Sequence, residues 1–144
     1  MGTPELEVVD IERDSRWCQV LLADVSAAAD IGRDVPYVGV VSPDLGADLP
    51  EVLSALRPAL QEIVCCDSVV TPTLTGDDLA WRALGELGFG QDFVFTVPRL
   101  EDAVDHAVDT LLKPRRSGWE GRFVVVIGPP ELISRARAHL TEPG

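Results

Sequence analysis

Short apolar runs of strand length recur along this chain, separated by stretches at helical spacing. That alternation constrains the fold more than any other feature. The runs are Trp17 to Ala23, Pro36 to Val41, Glu62 to Cys66, Phe93 to Val97 and Arg122 to Gly128. Pro36 to Val41 is continuous in its apolar character, as suits a strand covered on both faces. Leu6 to Asp10 alternates and adds a short first strand, followed by a polar turn from Glu12 to Arg16. The run from Arg122 to Gly128 is the most apolar and is expected at the centre of a sheet.

Helix signals fall between the runs. Asp48-Leu49-Pro50-Glu51 is a helix start, with a capping carboxylate and a proline whose fixed φ suits a first turn. Leu49, Val52, Leu53, Leu56 and Leu60 keep one apolar face, and Pro58 is expected to kink or end the helix near Leu56. Thr75-Gly76-Asp77-Asp78 repeats the capping pattern, with Leu79, Leu84 and Leu87 on the helix and Gly88 as its stop. Leu100, Ala103, Val104, Ala107, Val108, Leu111 and Leu112 make the clearest amphipathic helix. Pro129-Pro130-Glu131 opens the last, with Leu132, Ile133, Ala136 and Leu140 on its buried side. Asp24 to Pro36 lacks a helical period and sits at the lower limit for a crossover between parallel strands. The pieces predict an α/β fold of βαβ units with a mostly parallel sheet of about six strands. One domain is expected over residues 1–144.

Composition narrows the partners. Hydrophobic residues make up 46% of the chain and aromatics 6%, a globular core of Val, Leu and Ala. The formal net charge of -12 repels phosphate backbones and anionic lipid, so neither nucleic acid nor a membrane is an expected partner. No apolar run is long enough to span a bilayer. Met1 to Glu5 has neither the basic region nor the apolar core of a signal peptide. With the odd cysteine count of Cys18, Cys65 and Cys66, that makes a reduced, cytoplasmic setting the expectation.

In open α/β sheets, ligands bind beyond the carboxyl ends of the strands. There the chain offers Asp24 and Ser26 after one strand and Ser42 and Asp44 after the next, and these are the candidate ligand residues. Asp24 either orients an amino group or caps the short turn at Ser26. Lys113, Arg115 and Arg116, with Arg122, form the one basic island of an acidic chain. With Trp119 they are candidates for contact with an anion or a partner surface. No catalytic residue, metal site or cofactor is expected. Cys65 and Cys66 are adjacent on a strand and point to opposite faces, so they cannot converge on one ion. No G-x-x-x-x-G-K-[ST] loop is present, and Pro129 and Pro130 remove two donors from the turn after Gly128. His106, among Asp102, Asp105 and Asp109, and His139, near a helix end, are read as solvated or dipole-compensating. Trp81 and Trp119 are candidates for an interface, where Trp is enriched, with packing the preferred reading for Trp81 because Leu84 lies three positions on.

The order of the pieces resembles a known family. Pro4-Glu5-Leu6-Glu7-Val8-Val9, then Val20-Leu21-Leu22-Ala23-Asp24, then Tyr37-Val38-Gly39-Val40-Val41 are similar to the carboxy-terminal domain of the Mur ligase superfamily. Within it, the likeness is to folylpolyglutamate synthase and dihydrofolate synthase. Ile63-Val64 with Thr71-Pro72, Val97-Pro98-Arg99-Leu100-Glu101-Asp102-Ala103, and Val125-Val126-Ile127-Gly128 followed by Ala136-Arg137 keep the same rhythm. The resemblance implies a Rossmann-like three-layer sandwich that closes over an ATP-binding domain, where an amino acid attacks an acyl phosphate. The family's usual Asp-Gly-Ala-His-Asn-Pro site corresponds here to Asp24-Val25-Ser26-Ala27-Ala28-Ala29, so only Asp24 carries over. Ser42-Pro43-Asp44 replaces the frequent Asp-Lys-Asp, and Thr73 stands where an arginine is usual.

Three functions follow as expectations. The first is a free-standing, degenerate domain acting as a non-catalytic binding or scaffold module, through a protein partner or as a homo-oligomer. The second is one half of a split ATP-dependent amide ligase. The third is a small-ligand sensor using the strand ends near Asp24, Ser42 and Asp67.

Overall fold

The computed structural model describes residues 6–13, 16–24, 37–44, 49–56, 58–71, 74–86, 88, 90–112 and 123–141. Six strands form one sheet: β1 (Leu6–Arg13), β2 (Arg16–Ala23), β3 (Tyr37–Val41), β4 (Leu60–Cys65), β5 (Val94–Thr96) and β6 (Phe123–Ile127). Among the described residues, four α-helices accompany them: α1 (Leu49–Leu56), α2 (Gly76–Gly85), α3 (Leu100–Leu112) and α4 (Pro130–Thr141). The strand order is β1-β2-β6-β3-β4-β5. β1 runs antiparallel to β2 and every other neighbouring pair is parallel. The most apolar run, β6, lies between β2 and β3, inside the sheet as expected.

Period-two alternation divides the core into two layers. Leu21, Ala23, Tyr37, Val41, Ile63, Cys65, Val125 and Ile127 face one side, against Val52, Leu53 and Leu56 of α1 and Leu79, Ala80 and Ala83 of α2. Cys18, Val20, Leu22, Val38, Val40, Val64, Cys66, Val124 and Val126 face the other, against α3 and α4. Helices on both faces explain why β3 and β6 carry no charged residue. The architecture is the expected α/β sandwich of three layers.

Several local expectations change. Leu60 is not on the helix. α1 ends at Leu56, Ala59 N–H donates to Leu56 O at 2.9 Å, and Leu60 begins β4 opposite Tyr37. Pro58, without an N–H, ends the helix soon enough for the strand to take its next apolar residue. The polar turn also shrinks, because β1 runs to Arg13 and β2 resumes at Arg16.

In α2 the buried side is Gly76, Leu79, Ala80 and Ala83; Leu84 is only half-buried and Leu87 lies outside the described residues. The cause is a close approach at the helix start. A Cβ on Gly76 would lie 2.6 Å from the Cys65 carbonyl oxygen, so the helix seats its small residues on the end of β4. It stops at Gly85, three positions before Gly88, and the Glu86 N–H donates to Arg82 O at 2.7 Å. At its other end the Thr75 hydroxyl accepts from Asp78 N–H at 3.3 Å, the cap the sequence predicts.

Ion pairs fasten α4. Arg137 Nε donates to Glu7 Oε2 of β1 at 2.8 Å, and Arg135 Nη2 donates to Glu101 Oε1 of α3 at 2.8 Å. Burial alone would raise the Glu101 carboxyl. The hydrogen bond from Arg135, its own backbone N–H and the charges of Arg135 and Arg99 outweigh that and hold it below the usual glutamate value. His139 Nε2 lies 2.8 Å from Asp105 Oδ1, joining α4 to α3.

Candidate functional site

The parallel strands bring their carboxyl ends to one edge, where Asp24, Ser42, Asp44, Cys66, Asp67 and Ser68 follow directly on β2, β3 and β4. Ser42, immediately after β3, is fully buried. Its hydroxyl donates to Asp44 Oδ2 at 2.8 Å and accepts from the Asp44 N–H at 3.3 Å. This is the local Ser/Asx turn chemistry that ends a strand.

Asp44 then reaches across to the chain leaving β4. Its Oδ1 accepts a short hydrogen bond from the Ser68 hydroxyl, and its Oδ2 accepts from the Val69 N–H at 3.2 Å. Ser68 Oγ in turn accepts from the N–H groups of Val70, at 3.0 Å, and Thr71, at 2.6 Å. Asp67 does the same for α2: its Oδ1 accepts from the Gly76 N–H at 2.7 Å. That carboxylate occupies a donor at a helix amino end, where an incoming anion would otherwise compete for it.

Among the described residues, Ser42, Asp44, Asp67 and Ser68 tie this edge together with their own side chains. Ser42 and Asp44 are brought together, and they spend their polar atoms on each other, on Ser68 and on backbone. Ser68 escaped sequence reasoning. The available signal was Asp67-Ser68 directly after a strand, followed by Thr71, a pattern that favours side-chain-capped turns. Asp24 stands half-buried at the end of β2. Ser26, Lys113, Arg115, Arg116, Trp119 and Arg122 lie outside the described residues. At the β6 turn, Gly128 N–H donates to Ala23 O at 3.3 Å, so a third donor joins the two that Pro129 and Pro130 remove.

The thiols are inert in this geometry. Cys65 and Cys66 sit in opposite core layers, and burial pushes each up to about 12. Among the described residues, no group of three or more His, Cys, Asp or Glu is placed to hold a metal ion. Nor, among them, is any helix long and apolar enough to cross a membrane. Three side chains depart from their expected roles. The His106 ring packs on Phe95, with centroids 5.0 Å apart, so it is not simply solvated. His139 is paired to Asp105 rather than left to the helix dipole. Trp81 is 70% exposed, not packed, because the buried stripe of α2 lies on the opposite side.

Comparison with solved structures meets this geometry at one point. In crystal structures complexed with ADP and AMPPCP, Mycobacterium tuberculosis folylpolyglutamate synthase superposes with a TM-score of 0.61 over 85% of this chain, at 23% identity. The chain shares its fold with part of that synthase. The shared part covers 30% of the synthase chain, less than a third of its length. The likeness is one of fold, and that fold is the one the sequence resemblance implies. No protein-family model matches the chain. No curated protein sequence matches it either.

Proposed function

We propose that this chain is a ligase-type closing domain that has lost its substrate-holding side chains and works as a non-catalytic binding or scaffold module, through protein contact. The observation that carries this reading is the hydrogen-bond network around Asp44 at the strand ends. Asp44, the hub of the position where a ligand is expected, accepts from Ser42, Ser68 and Val69 of its own chain. The sequence supports it, with Ala27, Ala28 and Ala29 where the resemblance implies His, Asn and Pro. The test uses the purified chain with ATP, glutamate and a reduced folate. Neither phosphate release nor a glutamylated product is expected, and either one, lost on mutation of Asp24, would overturn the reading.

A second reading is favoured by the fold likeness to part of a nucleotide-bound synthase. The chain would then be the closing half of a split amide ligase, completed by an ATP-binding subunit. Copurification with such a subunit, and an ATP-dependent ligation that needs both chains, would support it. Ligation at the same rate by the ATP-binding subunit alone would exclude it.

A further inference from the structure

We propose that β1 is a docking edge for an extended, basic segment of a partner protein, which adds to the sheet as a further strand. The two edges of the sheet, β1 and β5, are built differently. β5 is three residues long, too short to template a partner. β1 runs for eight residues, Leu6–Arg13, and among the described residues nothing pairs with its outer side. The register with β2 decides which of its backbone groups are free. Arg13 pairs with Arg16 across a two-residue connection, so that pair exchanges both of its hydrogen bonds. Bonded pairs then alternate along the hairpin, through Ile11 with Cys18, Val9 with Val20 and Glu7 with Leu22. The N–H and C=O groups of Val8, Asp10 and Glu12 therefore point outward, at the spacing that an extended chain matches with its own.

The side chains of the same three residues set the chemistry of the occupant. They share the face turned away from α4, since Val9 and Ile11 pack on the α4 side. Val8 is 49% exposed, and Asp10 and Glu12 are exposed as well. Glu7, on the α4 side, has its charge answered by Arg137. Asp10 accepts from the uncharged amide of Gln19 at 2.9 Å, and among the described residues no cation lies beside Asp10 or Glu12. A strand laid antiparallel along this edge puts one residue opposite each of the three, on the same face. An apolar residue fits opposite Val8, and basic residues fit opposite Asp10 and Glu12, because opposite charges across a ladder attract and like charges repel. The acids thereby turn away a second copy of this chain, whose own edge is acidic and whose net charge is -12, and favour a basic partner. Protein contact as the mode of action is taken from the proposed function; the site and the chemistry of the partner come from β1.

The probe is a blocked peptide, acetyl-Lys-Val-Lys-Thr-Val-amide, whose residues fall opposite Glu12, Ile11, Asp10, Val9 and Val8. It is titrated into the isotope-labelled full chain and followed by amide NMR. The amide resonances of Val8, Asp10 and Glu12 are expected to shift and to gain protection from hydrogen exchange, while those of Val9 and Ile11, already bonded to β2, keep theirs. The same peptide N-methylated at both lysines loses donors that face β1 but keeps its charge, and is expected not to bind. The double variant Asp10→Lys/Glu12→Lys should keep its circular dichroism, since both side chains are exposed. It is expected to bind the lysine peptide about tenfold more weakly and to bind the glutamate analogue instead. No shift at Val8, Asp10 and Glu12 at millimolar peptide, equal binding of the N-methylated peptide, or unchanged binding by the double variant would overturn the proposal. So would protection of the same amides that grows with the concentration of the chain alone, since a second copy would then hold the edge. None of these outcomes bears on ATP turnover, so the docking edge can fail while the non-catalytic reading stands.

Discussion

Replacing Asp44 by alanine separates a structural tie from a ligand site. The substitution removes the acceptor of three donors: the hydroxyls of Ser42 and Ser68 and the Val69 N–H. Ser42 is fully buried, so its hydroxyl proton is left without an acceptor, at a cost of about 1–3 kcal/mol. The Ser68 hydroxyl and the Val69 N–H are half-buried and are partly rescued by water. They add roughly 1 kcal/mol together, at the low end of a typical hydrogen bond each. The expected loss is about 2–4 kcal/mol, which for a chain of this size lowers the melting temperature by roughly 5–15 °C. Urea unfolding should show a lower midpoint with an unchanged slope. Asp44→Asn is expected to lose less, because serine hydroxyls rotate and one of them can accept from the amide. A change within about 0.5 kcal/mol for Asp44→Ala, the size of an ordinary surface substitution, would refute the reasoning and return Asp44 to the pool of ligand residues.

Three further outcomes follow from the same coordinates. Gly76→Ala is expected to destabilise by about 1–3 kcal/mol in thermal unfolding, because its Cβ would sit 2.6 Å from the Cys65 carbonyl oxygen; no loss would mean α2 shifts freely. Cys65 and Cys66, each near 12, hold about one thiolate in ten thousand at pH 8, so a thiol reagent should label them only after unfolding. Glu101 is held below the unfolded glutamate value, so its stabilisation is present above the unfolded value and is lost as pH falls through the lower folded one. Arg135→Met should flatten that part of the acid-unfolding curve, and an unchanged curve would remove the role given to the pair.

The candidate site was half legible. Ser42 and Asp44 could be placed at a strand end because β3 is unbroken apolar sequence with an abrupt polar stop. What they do there could not be read, because Ser68, their partner, lies 24 residues beyond Asp44. Trp81 shows the same limit. A leucine three positions on suggested packing, but the rotation of α2 is set by Gly76 against β4, a contact between elements. His106 and His139 likewise find Phe95 and Asp105, which belong to other elements.

By itself, the sequence determined the kind of element at each place and the layering around the sheet. Those follow from local causes: side-chain period, a proline without an N–H after Leu56, a threonine cap at Thr75, and strands apolar on both faces. Only the tertiary structure decided which residues meet. It paired β1 antiparallel at the sheet edge, seated α2 on small residues, turned Trp81 outward and closed Asp44 onto Ser68. Such contacts join positions far apart in the chain, where hydrogen bonds and close approach select one partner among several that local patterning allows.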